Sequence, residues 1–203
     1  AEDGIRDRDV TGVQTCALPI SYLTKSRFKL ALSCPTKLYY GTKENNYENT
    51  QADDPFMSAL AEGGYQVGEL AKFLISNNPK REDITINTLE YEEALLKTSE
   101  KRAIQGRVAI AEAAFNFENL FVRTDLFLEE NDTIKIMEVK AKGWDDFTEF
   151  LKTFKRGPKT GKTEIDPKWK EYMYDIAFQK YVVQKANEGK TVLAYIVLAD
   201  KTK

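Results

Sequence analysis

The sequence predicts an α/β sandwich, in which helices flank a mixed central sheet. First, residues 119–142 alternate as two strands, Leu120–Leu128 and Thr133–Ala141, joined by a polar turn that favours chain reversal. Second, two stretches with helical spacing of apolar residues, 55–74 and 168–188, lie on either side of this hairpin in the chain. Third, the apolar run Thr191–Ala199 follows the second helix, as expected of a buried strand that runs parallel to a neighbour.

Residues 1–20 differ from the rest of the chain. They are not a secretory signal, since no apolar stretch follows a basic start. Their sequence resembles a translated sequencing adapter, so we interpret them as a non-native leader and exclude them from the fold prediction. Residues 21–203 then form one domain. Because nothing marks a domain end at Lys203, we expect a C-terminally truncated fragment.

The composition is that of a globular protein without overall basic character. Hydrophobic residues make up 42% of the chain, which includes 11 phenylalanines. Without the leader, 28 basic residues face 28 acidic ones, so any nucleic-acid binding depends on a local patch. No apolar run is long enough to span a membrane and no targeting segment is present, which predicts a cytoplasmic protein.

The residue types exclude several kinds of catalytic site. The chain contains no histidine, which excludes histidine-based catalysis and the usual mixed zinc sites. Cys16 belongs to the leader and leaves Cys34 as the one thiol of the domain. The sequence therefore predicts neither a disulfide framework nor a zinc cluster.

The domain begins with short helices and a longer one. Thr24 is a suitable N-cap for a helix over Lys25–Ser33, which is broken by Pro35 and resumes to Tyr40. The polar residues 41–53 are typical of an exposed loop. Pro55 then starts the first long helix as an N1 proline after the cap Asp54. Its apolar stripe is Phe56, Leu60, Gly63, Val67, Leu70 and Leu74.

A second face of this long helix carries two glutamates. At about 100° per residue, Glu62, Gln66 and Glu69 lie together beside the apolar stripe. A glutamate there either leans toward a site on the sheet or lies in solvent. The glycines at positions 63, 64 and 68 each weaken a helix by roughly 1 kcal/mol against alanine. We therefore expect them to pack closely on the sheet.

One more helix and one more strand precede the hairpin. A short strand is predicted at Ile84–Ile86, a charged surface helix at Glu90–Lys101, and a strand at Val108–Phe115. Three antiparallel strands then follow one another. Glu112 lies among apolar neighbours in the first of them, either as an acid that supports a site or as a solvated residue at an edge.

A basic segment and a helix lead to the last strand. The loop-like segment that ends at Pro167 either tracks a nucleic-acid backbone, with Trp144 and Trp169 placed to stack on bases, or is a solvated loop. In the helix Lys168–Glu188, Gln179 occupies an apolar position and needs a partner if buried. The basic residues of the segment are Lys152, Lys155, Arg156, Lys159 and Lys162.

The strongest candidate site lies in the hairpin. Asp125 is on its first strand, and Glu138 and Lys140 come at the end of the apolar second strand. Charged groups there are costly unless they face a polar cleft or a bound ion. Two carboxylates on neighbouring strands beside a lysine suit a divalent cation such as Mg²⁺, which takes oxygen ligands and keeps several waters. A structural ion pair between Glu138 and Lys140 is the alternative.

This spacing of Asp125, Glu138 and Lys140 resembles the PD-(D/E)XK nuclease superfamily, especially its RecB-like exonuclease branch. Three segments are similar to other motifs of the branch, namely its Ser, Cys-Pro and Tyr-Tyr signature, its first motif helix and its glutamine helix. The resemblance spans most of residues 21–203. It implies a restriction-endonuclease-like sandwich and metal-dependent hydrolysis of nucleic acid, with DNA favoured over RNA as the substrate. The segments are YLTKSRFKLALSCPTKLYY, ALAEGGYQVGELAK and YDIAFQKYV.

The resemblance implies roles for the hairpin residues. Asp125, Glu138 and the Val139 carbonyl would hold Mg²⁺ or Mn²⁺. Lys140 would orient the attacking water and stabilise charge on the phosphate. The superfamily fold kept without its chemistry, as a nucleic-acid-binding or protein-interaction module, is the alternative.

The resemblance also implies roles for residues outside the hairpin. The first motif helix would supply an acid, for which we favour Glu62 slightly over Glu69, while Gly68 stands where some relatives carry histidine. Gln179 would lie beside the active site. Cys34 matches one ligand of the iron–sulfur cluster that some relatives carry, although a small buried thiol is favoured here.

Overall fold

The computed structural model describes residues 22–41, 55–76, 84–104, 106–144, 150–153, 155 and 157–200. The predictions for the leader, for the loop after position 41, for Asp54 and for Arg156 lie outside these residues. No helix of the described part is long and apolar enough to cross a bilayer. In chain order the elements are β1 Leu23–Thr24, α1 Lys25–Ser33, α2 Pro35–Gly41, α3 Pro55–Ala71, α4 Tyr91–Arg102, β2 Val108–Phe117, β3 Leu120–Glu130, β4 Thr133–Trp144, β5 Leu151–Thr153, β6 Thr163–Ile165, α5 Pro167–Ala186 and β7 Thr191–Asp200.

A mixed five-stranded sheet forms the centre of the fold. β2 pairs antiparallel with one edge of β3 along nearly its whole length, and β4 pairs antiparallel with the other edge. After the crossover through α5, β7 pairs in parallel with β4. The predicted α/β sandwich, with three antiparallel strands followed by a helix and a further strand, is therefore confirmed. β7 lies at the edge of the sheet, since no other described strand pairs with it.

β3 and β4 separate before either strand ends, and this separation positions the candidate site. Their ladder stops at the pair of Leu126 and Met137. On the same edge of β3, β1 pairs in parallel with the first two residues of β3. Residues 122–125 of β3 therefore have no partner on this edge among the described strands. Because α1 directly follows β1, it enters the fold at this gap.

Apolar side chains pack on both faces of the sheet. On β4, Ile134 and Ile136 join the core that includes residues of α4 and α5, whereas Met137 and Val139 join a smaller core with the end of α3. This alternation is that of a strand buried on both faces. Glu138 continues the row of Ile134 and Ile136, so it faces α5.

α3 packs differently from the prediction. It begins at Pro55 as predicted, but it ends at Ala71, and a short 3₁₀ turn follows. Leu70 and Leu74, which the predicted stripe would bury, are 66% and 60% exposed. Ala71 and Ile75 are buried on the sheet in their place, so the contact face is rotated from the predicted one.

The glycines of α3 face open space. Among the described residues, no atom outside the neighbouring turns of the helix lies within 4 Å of where a Cβ would stand at Gly63, Gly64 or Gly68. The prediction that close packing on the sheet explains these glycines was therefore wrong.

The basic segment before α5 is not simply a loop. β5 and β6 pair antiparallel, with Leu151 opposite Ile165, and Gly157 and Gly161 have positive φ in the turn that joins them. The prediction of an irregular segment was wrong here. The strand predicted at Ile84–Ile86 is reduced to one isolated bridge with β2.

Candidate functional site

Asp125 lies in the gap between β3 and β4. Its Oδ2 accepts a hydrogen bond from the Val139 N–H at 2.7 Å, just beyond the point where the backbone ladder of the two strands ends. The side chain thus takes the place of a backbone carbonyl as the acceptor for β4, and it holds β4 beside β3. Its Oδ1 is 3.8 Å from the Nζ of Lys25, which comes from α1.

Glu138 is buried at the centre of the site, with 1% of its surface exposed. Lys25 Nζ donates to both carboxylate oxygens, at 3.1 and 3.0 Å. Lys140 Nζ donates to Oε1, and Gln179 Nε2 donates to Oε2 at 2.6 Å. A buried carboxylate is tolerated when it is paired and hydrogen-bonded. These partners are therefore what stabilises Glu138 beneath α5.

α5 adds a carboxylate that the sequence analysis missed. Asp175 is fully buried, and its Oδ1 accepts from Gln179 Nε2 at 3.0 Å. Lys140 Nζ donates to its Oδ2 at 3.3 Å. The signal in the sequence was the spacing of four between Asp175 and Gln179, which places two polar side chains on one helix face.

Lys25, also missed, reaches all three carboxylates. Besides its contacts with Glu138 and Asp125, its Nζ is 4.0 Å from Asp175. Lys29, one turn later on α1, lies 3.8 Å from Asp175. Three carboxylates thus face three ammonium groups, and their formal charges balance. We call the whole group the carboxylate–lysine cluster; its members are Asp125, Glu138, Asp175, Gln179, Lys25, Lys29 and Lys140.

The cluster drives the pKa values of its two strand carboxylates apart. Burial raises the pKa of Asp125 to about 6 against the attraction of Lys25, and the negative charge of Glu138 adds to the rise. Burial also acts to raise the pKa of Glu138, but Lys25 and Lys140 outweigh it and lower that pKa to about 2. Glu138 is therefore held as an anion, while Asp125 changes charge more readily. Such separation is typical of functional sites.

A cavity of about 990 Å³ opens beside Asp125. Val139 of β4 forms part of one wall, and Gly64 and Gly68 of α3 form part of another. No described residue from outside the helix lies within 4 Å of where the Cβ atoms of these glycines would stand. A ligand of moderate size therefore has access to the Asp125 side of the cluster.

Glu112 lies on the wall of this cavity with a strained backbone. Its φ is 61° although it sits within β2, opposite Asp125 of β3. A non-glycine residue in a left-handed conformation costs about 1–3 kcal/mol and often marks a functional site. Its carboxylate pairs with Arg123 Nε at 3.5 Å. Of the two interpretations from sequence, the cavity-wall position favours an acid that supports the site.

The two glutamates of α3 occupy different places. Glu62 is exposed, and its Oε1 accepts from Gln66 Nε2 at 3.2 Å. Glu69 lines the cavity beside Asp125 and pairs with Lys72 at 2.6 Å. The structure thus brings Glu69, rather than Glu62, toward the cluster.

The candidate groups for nucleic-acid contact differ from their predicted arrangement. The described lysines of the β5–β6 hairpin are exposed, and one of them, Lys159, pairs with Glu164 at 2.8 Å. Trp169 is only 1% exposed and packs edge to face with Trp144, at 5.6 Å between ring centroids. A buried ring is not available for stacking on a base.

The cluster provides two carboxylates for a hard cation. In the described residues, no three histidine, cysteine, aspartate or glutamate side chains form a metal-binding group. Mg²⁺, however, often binds through one or two carboxylates and keeps several waters. Asp125 and Glu138 already converge on one cation, the Lys25 ammonium. The buried Oε1 of Gln179, which has no hydrogen-bond partner among the described residues, leaves an acceptor for a water. The donor set therefore fits a hydrated divalent ion.

The iron–sulfur prediction has a single candidate ligand in the described residues. Cys34 is a free, half-buried thiol between α1 and α2. No second described cysteine accompanies it, so the described part offers no cluster site.

No protein-family model and no curated protein matches this chain. Its function is therefore inferred from the residues of the cluster and its cavity.

Proposed function

We propose that this chain is a metal-dependent nuclease that hydrolyses phosphodiester bonds of nucleic acid, with DNA as its substrate. The supporting observation is that the carboxylates of Asp125 and Glu138, from two strands, both contact the ammonium of Lys25 and so define one position for a cation. Lys140 pairs with Glu138 beside this position. These are the three residues that carry the resemblance to the PD-(D/E)XK superfamily.

The strand residues would perform the chemistry. Asp125 and Glu138, with the Val139 carbonyl, would hold Mg²⁺ or Mn²⁺, which when bound neutralises phosphate charge and acidifies a water. Lys140 would orient the attacking water and stabilise the negative charge that develops on the phosphate. The water would lose one proton to solvent as its oxygen bonds to phosphorus, the bond between phosphorus and the sugar oxygen would break, and that oxygen would take up one proton from solvent.

α5 positions these groups. The Gln179 amide donates to both Glu138 and Asp175, so one side chain sets the spacing of the two buried carboxylates. Both carboxylates in turn accept from Lys140. The ammonium is therefore directed by two elements, which limits the rotamers that its flexible stem can adopt.

A second candidate function is a binding module with the same fold and no chemistry. The observation that favours it is that every carboxylate of the cluster already has a lysine partner. Such a cluster is a complete structural unit without metal. A protein of this kind would bind nucleic acid or another protein through the cavity and leave phosphodiester bonds intact.

Cleavage by a Lys140→Met variant tests the nuclease proposal. We expect wild-type protein to cut labelled single- or double-stranded DNA with Mn²⁺, and the variant to be slower by about 10²-fold or more, because a preorganised charge at the phosphate is lost. Lys135→Met is the matched control, since Lys135 lies on the same strand outside the cluster. It should cleave like wild type.

Two results would contradict the nuclease proposal. One is equal cleavage by the Lys140→Met and Lys135→Met variants, both shown to be folded by thermal unfolding. The other is wild-type protein that binds DNA without cutting it at any Mg²⁺ or Mn²⁺ concentration, which would establish the binding module.

A further inference from the structure

α1 places a lysine where a metal ion is expected. Lys25 Nζ lies 3.0 and 3.1 Å from the two oxygens of Glu138 and 3.8 Å from Oδ1 of Asp125. Among the ion pairs of the cluster, those of Lys140 and Lys29 do not include Asp125. Lys25 is thus the cluster lysine whose ion pairs join the two strand carboxylates.

The helix itself does not favour a cation at this place. Lys25 is the first residue of α1, and the first turn contains no acidic side chain. A helix N-terminus carries partial positive charge, so a cation there is unfavourable by about 0.3–1 kcal/mol. The side chain is also three-quarters buried, with 25% exposed. The carboxylates of the cluster are therefore what holds the ammonium.

We propose that Lys25 is the resident counter-ion of this site, and that a divalent cation binds by displacing its ammonium from Asp125 and Glu138. This inference rests on the proposed function, because it assigns the metal to the same two carboxylates. A metal ion and an ammonium within about 4 Å of one another repel strongly at low dielectric constant. Glu138 also accepts from Lys140 and Gln179, so its oxygens have little capacity for another cation while Lys25 is bound.

Displacement requires no movement of α1. A lysine side chain is a flexible four-carbon stem, and its rotation alone withdraws the ammonium. In metal-free protein the same ammonium prevents repulsion among Asp125, Glu138 and Asp175, which lie around it. Lys25 therefore stabilises the metal-free fold and weakens metal binding by the same contacts.

Titration of Mn²⁺ by calorimetry tests the displacement. We expect Lys25→Met to bind Mn²⁺ about tenfold or more tightly than wild type, a difference of about 1.4 kcal/mol. Lys37→Met is the control, since Lys37 is exposed on α2 and is not a member of the carboxylate–lysine cluster; its affinity should stay near that of wild type. In chelator, Lys25→Met should melt at a lower temperature than wild type, and Mn²⁺ should raise its melting temperature more.

A measurement on wild-type protein covers the case in which Lys25→Met does not fold. An amine-reactive acylating reagent, followed by mass spectrometry of peptides, reports the accessibility of each lysine. We expect saturating Mn²⁺ to increase acylation of Lys25, with Lys97 of α4 as the internal reference that stays constant. Unchanged acylation of Lys25 at saturating Mn²⁺ would overturn the displacement.

The outcomes separate the two proposals. Equal Mn²⁺ affinity of folded wild type and Lys25→Met would overturn the displacement and leave the nuclease site intact. Absence of Mn²⁺ binding by both folded proteins would overturn the metal site itself, and the displacement with it.

Discussion

At the scale of single residues, Asp125 has two opposite effects on the stability of the fold. Its Oδ2 accepts the Val139 N–H in the gap between two strands, which supports the sheet. Its burial beside Glu138 raises its pKa to about 6, so the ionised form is less stable in the folded protein than in the unfolded chain. Functional residues commonly carry such a cost in stability.

The pKa of Asp125 predicts how stability changes with pH. Between pH 4 and 6 the Asp125 carboxyl is ionised in the unfolded chain but still protonated in the folded protein. Its contribution to the free energy of unfolding is therefore fully present below pH 4 and is lost as the pH rises through 6. The rise of the pKa from 3.8 to about 6 corresponds to about 3 kcal/mol. Asparagine does not titrate, so it does not carry this cost, which already includes the attraction of Lys25 for the ionised carboxylate. We therefore expect Asp125→Asn to be more stable than wild type by about 1–3 kcal/mol at pH 7.5.

Urea unfolding in chelator from pH 4 to 7.5 checks this expectation. The stability difference between Asp125→Asn and wild type should shrink as the pH falls toward 4. Asp132→Asn, in the exposed turn of the hairpin, is the control and should follow wild type throughout. An Asp125→Asn variant that is less stable than wild type at pH 7.5 would show that the folded protein favours this carboxylate in its ionised form.

The sequence allowed four of the seven members of the cluster to be found, for a physical reason. Asp125, Glu138 and Lys140 are visible because charges interrupt a strand pattern, and Gln179 because an amide interrupts a helix stripe. Lys25 is 113 positions from Glu138, and a lysine in a short helix normally lies in solvent. Its role comes only from the parallel contact of β1 with β3, which local patterns do not encode.

At the scale of elements, the gap between β3 and β4 was not predictable. Both strands keep their alternation beyond the pair of Leu126 and Met137 where the ladder stops. The separation arises from tertiary contacts, since β1 and α1 occupy the edge that β4 leaves. The existence of the strands was therefore predictable from sequence, whereas the point at which their pairing ends was not.

The open surroundings of the α3 glycines lead to a prediction for this helix. No atom that the structure describes outside the neighbouring turns of the helix stands within 4 Å of a Cβ at Gly63 or Gly68, so alanine meets no obstacle among the described residues. Alanine loses less conformational entropy than glycine in a helix. We expect Gly63→Ala and Gly68→Ala each to raise the free energy of unfolding by about 0.5–1 kcal/mol.

Thermal and urea unfolding provide the measurement for α3, with Gly189→Ala as the control. Gly189 has a φ of 85°, which alanine adopts only with strain, so this variant should lose stability. Destabilisation by Gly63→Ala or Gly68→Ala would mean that something packs against these positions.

At the scale of the whole molecule, the two cores on opposite faces of the sheet explain where the cluster lies. The larger core beneath α4 and α5 includes Ile134 and Ile136, and Glu138 and Lys140 come next on the same strand. Polar groups therefore replace the core at the end of this face, where α1 and α5 cover them. The fold class was predictable because each core leaves its own periodicity in the sequence.

The outer edge of β7, with which no other described strand pairs, has a consequence for handling the protein. An unpaired strand edge with apolar side chains is a template for pairing with another chain, and Leu193 and Tyr195 of β7 are 37% and 44% exposed. We expect wild-type protein to self-associate as its concentration rises in sedimentation velocity. Tyr195→Lys should reduce this association, while Tyr181→Lys on α5 should not. A monomer at every concentration would mean that β7 resists pairing, and solubility would then set no limit on the titrations proposed above.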